Sequence, residues 1–307
     1  MNPSAFDMPA FERLYKRYQK LSAAEQRIMQ VLAVVCQPVN QTDLQHLLRD
    51  LAAENKGKAK EEWKGLAGFV GKTLRERLLK QGILKRVNNQ LICHPLLLQT
   101  LSREAVGAGI FAMVAAEVQA RWPAPTRRVT SHLSAATDMN KRQLQHAFYL
   151  QRWKEVFRLL RIDEHFAYVD PETSAPLIQI CTQPLDEEYL ASLPAEIIFQ
   201  VLAPLIYAAP YELENVTWAA ELMERMLTKG ALKVDAGTLV VWLQQLMHRG
   251  RLDDAARLIA AMNEGPTTSA HQCWLLCLQG HYGEAIANYQ AGLKLLRKAS
   301  GRRNDYM

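Results

Sequence analysis

Apolar residues recur along most of this chain every three or four positions, the period of an α-helix with one buried face. Leu21-Ser22-Ala23-Ala24-Glu25 opens the first such run with a capping-box pattern, Ser22 at the N-cap and Glu25 three residues on. Ile28, Val31, Leu32 and Val35 follow, and Pro38 is the expected stop. Asn40 or Thr42 can cap a second helix whose apolar face is Leu44, Leu47, Leu48 and Leu51. After a polar loop at residues 54–60 (ENKGKAK), a third helix is predicted over 62–81, with Trp63, Leu66, Ala67, Val70, Leu74 and Leu78 on one face. Residues 83–87 and 90–94 alternate as short strands, and Asn88-Asn89, which tolerates positive φ, joins them as a hairpin. Three helices and a hairpin are the element order of a winged helix.

Beyond Ala105 the spacing stays helical and β-branched runs are scarce. One apolar helix is expected over 106–118, closed by Arg121-Trp122-Pro123-Ala124-Pro125. Another stretch opens at Thr137-Asp138, residues 170–184 read as looser, and Leu193-Pro194 starts a strongly apolar helix ending near Ala209-Pro210. Arg249-Gly250-Arg251-Leu252-Asp253-Asp254-Ala255 recurs 30 residues later as Gln279-Gly280-His281-Tyr282-Gly283-Glu284-Ala285, and Gln151-Arg152-Trp153 echoes it without the glycine. Each copy lies between two helices, where a glycine supplies a left-handed turn and the small residue after it permits close packing. Ala285, Tyr289 and Gly292 are spaced like the small–aromatic–small positions of a tetratricopeptide second helix. The expectation is an all-α chain: a winged helix at 1–102, a connecting helical region at 103–184, and an α-solenoid-like array of tetratricopeptide-like hairpins at 185–307.

Charge adds a function class. The 307 residues carry a net charge of +6, unevenly spread. Residues 1–102 hold 16 Lys+Arg against 9 Asp+Glu, a net of +7, and the remainder is close to neutral. A basic domain joined to a neutral one suggests nucleic acid as a partner. Lys64, Lys72 and Arg75 fall within an arc of about 80° on the polar face of the predicted third helix, Arg77 projects toward its apolar side, and Lys85 and Arg86 lie on the wing. These five, without Arg77, are the candidate DNA contacts. Gly65, Gly68 and Gly71 leave a bare stripe that suits close approach by a backbone or a phosphate, or else mark a helix that begins only near Gly71. Protein contact is the alternative use of the same domain.

No catalytic constellation emerges, and neither cofactor nor metal is implied. The stretch Gly68–Thr73 is similar to a phosphate loop, but Leu66 stands where its first glycine is required. Asp163-Glu164-His165 is similar to a helicase acidic box yet reads as a solvated turn. His271, Cys273 and Cys277 have a spacing open to a metal, with no fourth ligand, and read as a buried helix face. His94-Pro95 reads as a strand terminator and Asp253-Asp254 as a helix first turn. Five cysteines form no disulfide framework, and neither a secretory signal nor a membrane span is evident, so a reducing cytoplasm is expected.

The winged helix plus hairpins resembles the sensor half of bacterial signal-transduction ATPases with numerous domains, which also carry a nucleotide-binding module. Residues 69–79 (FVGKTLRERLL), Gln81-Gly82-Ile83-Leu84, Cys93-His94-Pro95-Leu96 and residues 289–303 (YQAGLKLLRKASGRR) look like the N-terminal region of large bacterial Swi/Snf-type helicase-like ATPases. That resemblance implies a non-catalytic part of a protein that translocates on duplex DNA, its partner being an ATPase motor in the same or an associated polypeptide. The motor's catalytic residues have no counterpart here.

Overall fold

The computed structural model describes residues 6–54, 57–123, 133–160, 171–212, 217–228 and 236–302. Among them are seventeen helices and one two-stranded antiparallel sheet, so the chain is mostly helical. It divides into two compact units, Met1–Phe166 with Glu172–Leu190, and Ala167–Pro171 with Ala191–Met307. No described helix is long and apolar enough to cross a membrane.

The first unit opens with α1 (Met8–Gln19), capped by the Asp7 carboxylate, which accepts from the Ala10 amide at 2.8 Å. The sequence reading assigns no helix here, although Phe11, Leu14 and Tyr18 have helical spacing and are buried. The expected capping box of Ser22 and Glu25 starts α2 (Ala23–Val35). This helix ends at Cys36 in the left-handed region (φ 51°), two residues before Pro38. Met29, Val31, Ala33, Val34 and Val35 are wholly buried, α6 and α7 pack on α2, and Gln26, Arg27 and Gln30 form its half-buried polar side. Val39 then exchanges two backbone hydrogen bonds with Leu91, at 2.9 and 2.7 Å. Asn40 caps α3 (Gln41–Glu54), its Oδ1 accepting from the Asp43 amide at 2.7 Å.

The third helix does not run as predicted. It is two helices, α4 (Gly57–Phe69), which takes up part of the expected polar loop, and α5 (Lys72–Lys80). Gly71 stands at the N-cap of α5 in extended conformation, and no Cβ-range neighbour approaches Gly65 or Gly68. Gly71 therefore marks a helix boundary, whereas Gly65 and Gly68 lie inside α4 with no close contact, so the helix does not first begin near Gly71. The hairpin lies where the alternation puts it, β1 (Leu84–Val87) pairing with β2 (Gln90–Cys93) from Leu84↔Cys93 to Val87↔Gln90. Asn88 and Asn89 both have positive φ, 47° and 63°, as a type I′ turn requires.

His94 terminates the strand and also caps α6 (Pro95–Gly107), Nδ1 accepting from the Leu96 amide at 3.2 Å. The single helix expected over 106–118 is broken at Gly109 (φ 69°), and α7 (Phe111–Arg121) is a separate element. Residue 102 lies inside α6, and α6 and α7 both pack on α2. Then come α8 (Leu133–Tyr149), which begins before Thr137, and α9 (Trp153–Leu160). The segment expected to be loose holds α10 (Pro171–Thr182), which accommodates Pro176, and it is followed by α11 (Glu187–Ala191). Asp163-Glu164-His165 lies outside the described residues.

The second unit comprises α12 (Ala195–Glu212), α13 (Thr217–Thr228), α14 (Ala236–His248), α15 (Leu252–Ala260), α16 (Pro266–Leu278) and α17 (Tyr282–Ser300). Its principal packing joins helices adjacent in order, with α12 also meeting α14. The repeated turn has one backbone geometry in all three copies. Gly250, Gly280 and Gln151 have φ of 71°, 82° and 55°, and their amides donate to Met247, Cys277 and Phe148. The next amides, of Arg251, His281 and Arg152, reach back to Leu246, Leu276 and Ala147. This paired closure satisfies the last carbonyls of the preceding helix. Ala255, Ala285 and Val156 are then buried one turn into the next helix.

Candidate nucleic-acid interface

The three contacts expected on the third helix, Lys64, Lys72 and Arg75, are not carried by one helix face. Lys64 is exposed on α4, while Lys72 and Arg75 stand on α5 beyond the break at Val70-Gly71, so the arc computed for a continuous helix does not exist. The break is held by α3: Gln45 Nε2 and Gln41 Nε2 donate to the Val70 carbonyl at 2.6 and 3.2 Å. In a continuous helix that carbonyl would serve the amide four residues on.

Arg75 is drawn into the same joint. Its Nη1 donates to Gln41 Oε1 at 2.9 Å, and its side chain is half-buried. It supports the α3–α5 corner more than it presents charge. Lys72 is exposed beside Glu76, one turn along, at 3.9 Å. Arg77, set aside in the sequence reading, pairs with the buried Glu25 carboxylate of the α2 capping box. Gly71 contributes no side-chain cap, so the first-turn amides of α5 carry the partial positive charge of a helix start without one.

Lys85 and Arg86 follow on β1. Leu84 anchors the strand in the core, and residues 85–89 are all exposed. Lys85 and Arg86 project to opposite faces of the ribbon, with neither in an ion pair among the described residues. His94 sits at the other end of the hairpin; burial, and then the nearby Lys85 charge, hold its pKa below the ordinary imidazole value. The structure thus groups Lys72 with the open start of α5, and Lys85 with Arg86 on the hairpin, leaving Lys64 on a different helix. The residues missed by sequence reasoning are Gln41, Gln45 and Val39. Their roles depend on partners 25 to 52 positions away, and no local pattern advertises them.

The other candidates among the described residues lie apart from these contacts. His271 is buried and its Nδ1 donates to the Thr267 carbonyl at 2.7 Å within α16. Cys273 is half-buried and Cys277 exposed, so the expected buried thiol face is incorrect: the pair turns toward solvent. Among the described residues no group of three or more His, Cys, Asp or Glu could hold a metal. Asp253 and Asp254 occupy the first turn of α15, and Asp254 accepts from Arg251 Nε at 2.7 Å. No protein-family model matches the chain, and no curated protein is significantly similar to it.

Proposed function

We propose that this chain is a non-catalytic scaffold whose N-terminal winged helix rests on the phosphate backbone of duplex DNA and whose C-terminal tetratricopeptide-like hairpins receive a protein partner. The observation that carries the reading is the exposed Lys85 and Arg86, in no ion pair among the described residues, on a hairpin that immediately follows α5. Val39 supports the winged-helix assignment, since the segment between α2 and α3 makes a single antiparallel bridge to Leu91 of β2. The excess positive charge of the first 102 residues points the same way. Backbone contact suits the residues better than base reading, because α5 spans only nine residues and its Arg75 is bound to Gln41. The sequential packing of α12 to α17 supports a solenoid-like array. With the resemblance to Swi/Snf-type N-terminal regions, the protein partner is an ATPase motor of the same or an associated polypeptide.

The test is a fluorescence-anisotropy titration of the full chain with duplex DNA across 50–200 mM salt. Affinity should fall steeply with salt and be indifferent to base sequence, since phosphate contacts release counterions. Lys85→Ala with Arg86→Ala should weaken binding for every duplex and reduce the log–log salt slope by about 2. Absent or salt-insensitive binding would leave the second reading, a purely protein-binding winged helix, which the engagement of Arg75 and the Lys72–Glu76 pair favour.

A further inference from the structure

Four cations line one side of α1. Arg13, Lys16, Arg17 and Lys20 lie within about 100° of one another around the helix. All four are exposed, and none is in an ion pair among the described residues. The other side of α1 is fixed in the core: Phe11, Leu14 and Tyr18 are buried, and the Tyr15 and Tyr18 hydroxyls donate to the Glu104 carboxylate of α6. The basic side is therefore held outward. Its arrangement opposes the helix, because Arg13 meets Lys16 and Arg17 at i+3 and i+4, and Lys20 meets the same two from the far end. The helix dipole favours Lys16 and Arg17 in the last turn but offers nothing to Arg13. Arg17 joins the stripe to the hairpin. Its Nη1 donates to the Gln81 carbonyl at 2.8 Å, where α5 ends. Gly82 follows with φ of 75°, and a Cβ there would meet Leu14 and Arg17 at 3.6 and 3.9 Å. The chain thus turns into β1 directly against α1. Lys80, exposed at the last position of α5 and in no ion pair among the described residues, stands beside that junction.

We propose that the basic side of α1 is a second contact for the phosphate backbone of duplex DNA, continuous through Arg17 and Lys80 with the hairpin. This rests on the reading that the first unit binds duplex DNA. Charge complementarity selects the occupant: the stripe offers uncompensated positive charge, its apolar residues are turned inward, and it adjoins the exposed Lys85 and Arg86. From Arg13 to Lys20 the helix rises about 10 Å, an axial length over which one strand of a duplex carries about three phosphates. Bound phosphates relieve the repulsion along the stripe, so the feature that weakens the free helix strengthens the complex. Such contacts position the duplex without reading its bases. The surface therefore adds affinity and salt dependence, and no sequence preference.

The test compares charge variants of the full chain in equilibrium binding to a short duplex at a series of salt concentrations. Arg13→Gln with Lys16→Gln and Lys20→Gln should lower the log–log salt slope by about 3 and weaken binding roughly 30-fold. Lys294→Gln with Arg297→Gln and Lys298→Gln removes as much charge from exposed positions of the second unit and should change neither. The α1 variant should melt no earlier than the parent, since it loses like-charge repulsion. An α1 variant that binds like the parent, while Lys85→Ala with Arg86→Ala weakens binding, overturns this inference and leaves the hairpin reading standing. Equal losses in the α1 and second-unit variants overturn it too, because net charge then accounts for both. A loss confined to the α1 variant, with the hairpin variant unaffected, supports the α1 contact and removes the hairpin from the interface. A parent chain that binds no duplex at low salt removes both, whatever other polyanion it takes. Should the α1 variant melt early, acetylation of the parent decides: bound duplex should protect Lys16 and Lys20, and equal labelling with and without duplex overturns the proposal.

Discussion

Gln151 occupies the left-handed turn position that Gly250 and Gly280 fill in the two later copies, with φ of 55°. A side chain with a Cβ pays a steric penalty there that glycine avoids. Gln151→Gly should raise stability by about 1 kcal/mol in chemical denaturation, and Gly250→Ala should lower it by about as much. His146 carries a second residue-scale prediction. Its Nε2 donates to the Val34 carbonyl at 2.8 Å. Burial pushes its pKa down to about 4, outweighing the Val34 bond, with the Arg142 and Arg152 charges adding to the shift. In the unfolded chain the group titrates near its ordinary value of 6.5. The unfolded state therefore binds the extra proton between those values. Stability from this residue is complete above about pH 6.5, declines as pH falls, and levels off below about 4, a loss of roughly 3 kcal/mol. Urea denaturation at pH 7 and pH 4.5 should show a smaller difference for His146→Gln than for the parent chain.

At the scale of elements, the corner between α4 and α5 shows how a neighbour overrides periodicity. The apolar residues from Trp63 to Leu78 keep one helical phase across the break, so periodicity alone predicts one helix. What interrupts it is a carbonyl taken by two glutamine side chains of α3 and a glycine able to start again in extended conformation. Gln41→Ala with Gln45→Ala should leave the Val70 carbonyl without those donors, and should cost about 1–3 kcal/mol by thermal or urea denaturation. The hairpin behaved oppositely, because its turn residues and strand alternation are contained within ten positions. The placement of Lys85 and Arg86 on the hairpin was therefore legible. The positions of Lys64, Lys72 and Arg75 relative to one another were not, since they depended on the helix continuing.

For the molecule as a whole, the first unit is built on contacts distant in sequence. Gln145 and His146 of α8 donate to the last-turn carbonyls of Ala33 and Val34, each 112 residues away. Tyr15, Tyr18 and Gln30 all donate to the Glu104 carboxylate, joining α1 and α2 to α6. Residues 1–102 alone would lack every one of these partners, would cut α6 short, and would expose the part of α2 that α7 covers. That fragment should show no cooperative thermal transition by circular dichroism, whereas the full chain should. Helical character, the Ser22–Glu25 cap, the Asn88-Asn89 turn and the left-handed turns at Gly250 and Gly280 were determined by sequence alone, because each is settled among residues no more than a few positions apart. Where α4 gives way to α5, which charges remain available to a ligand, and how far the first unit extends were decided by tertiary structure. Those outcomes turn on which distant donor or carboxylate reaches a given buried group, and chain spacing does not encode that distance.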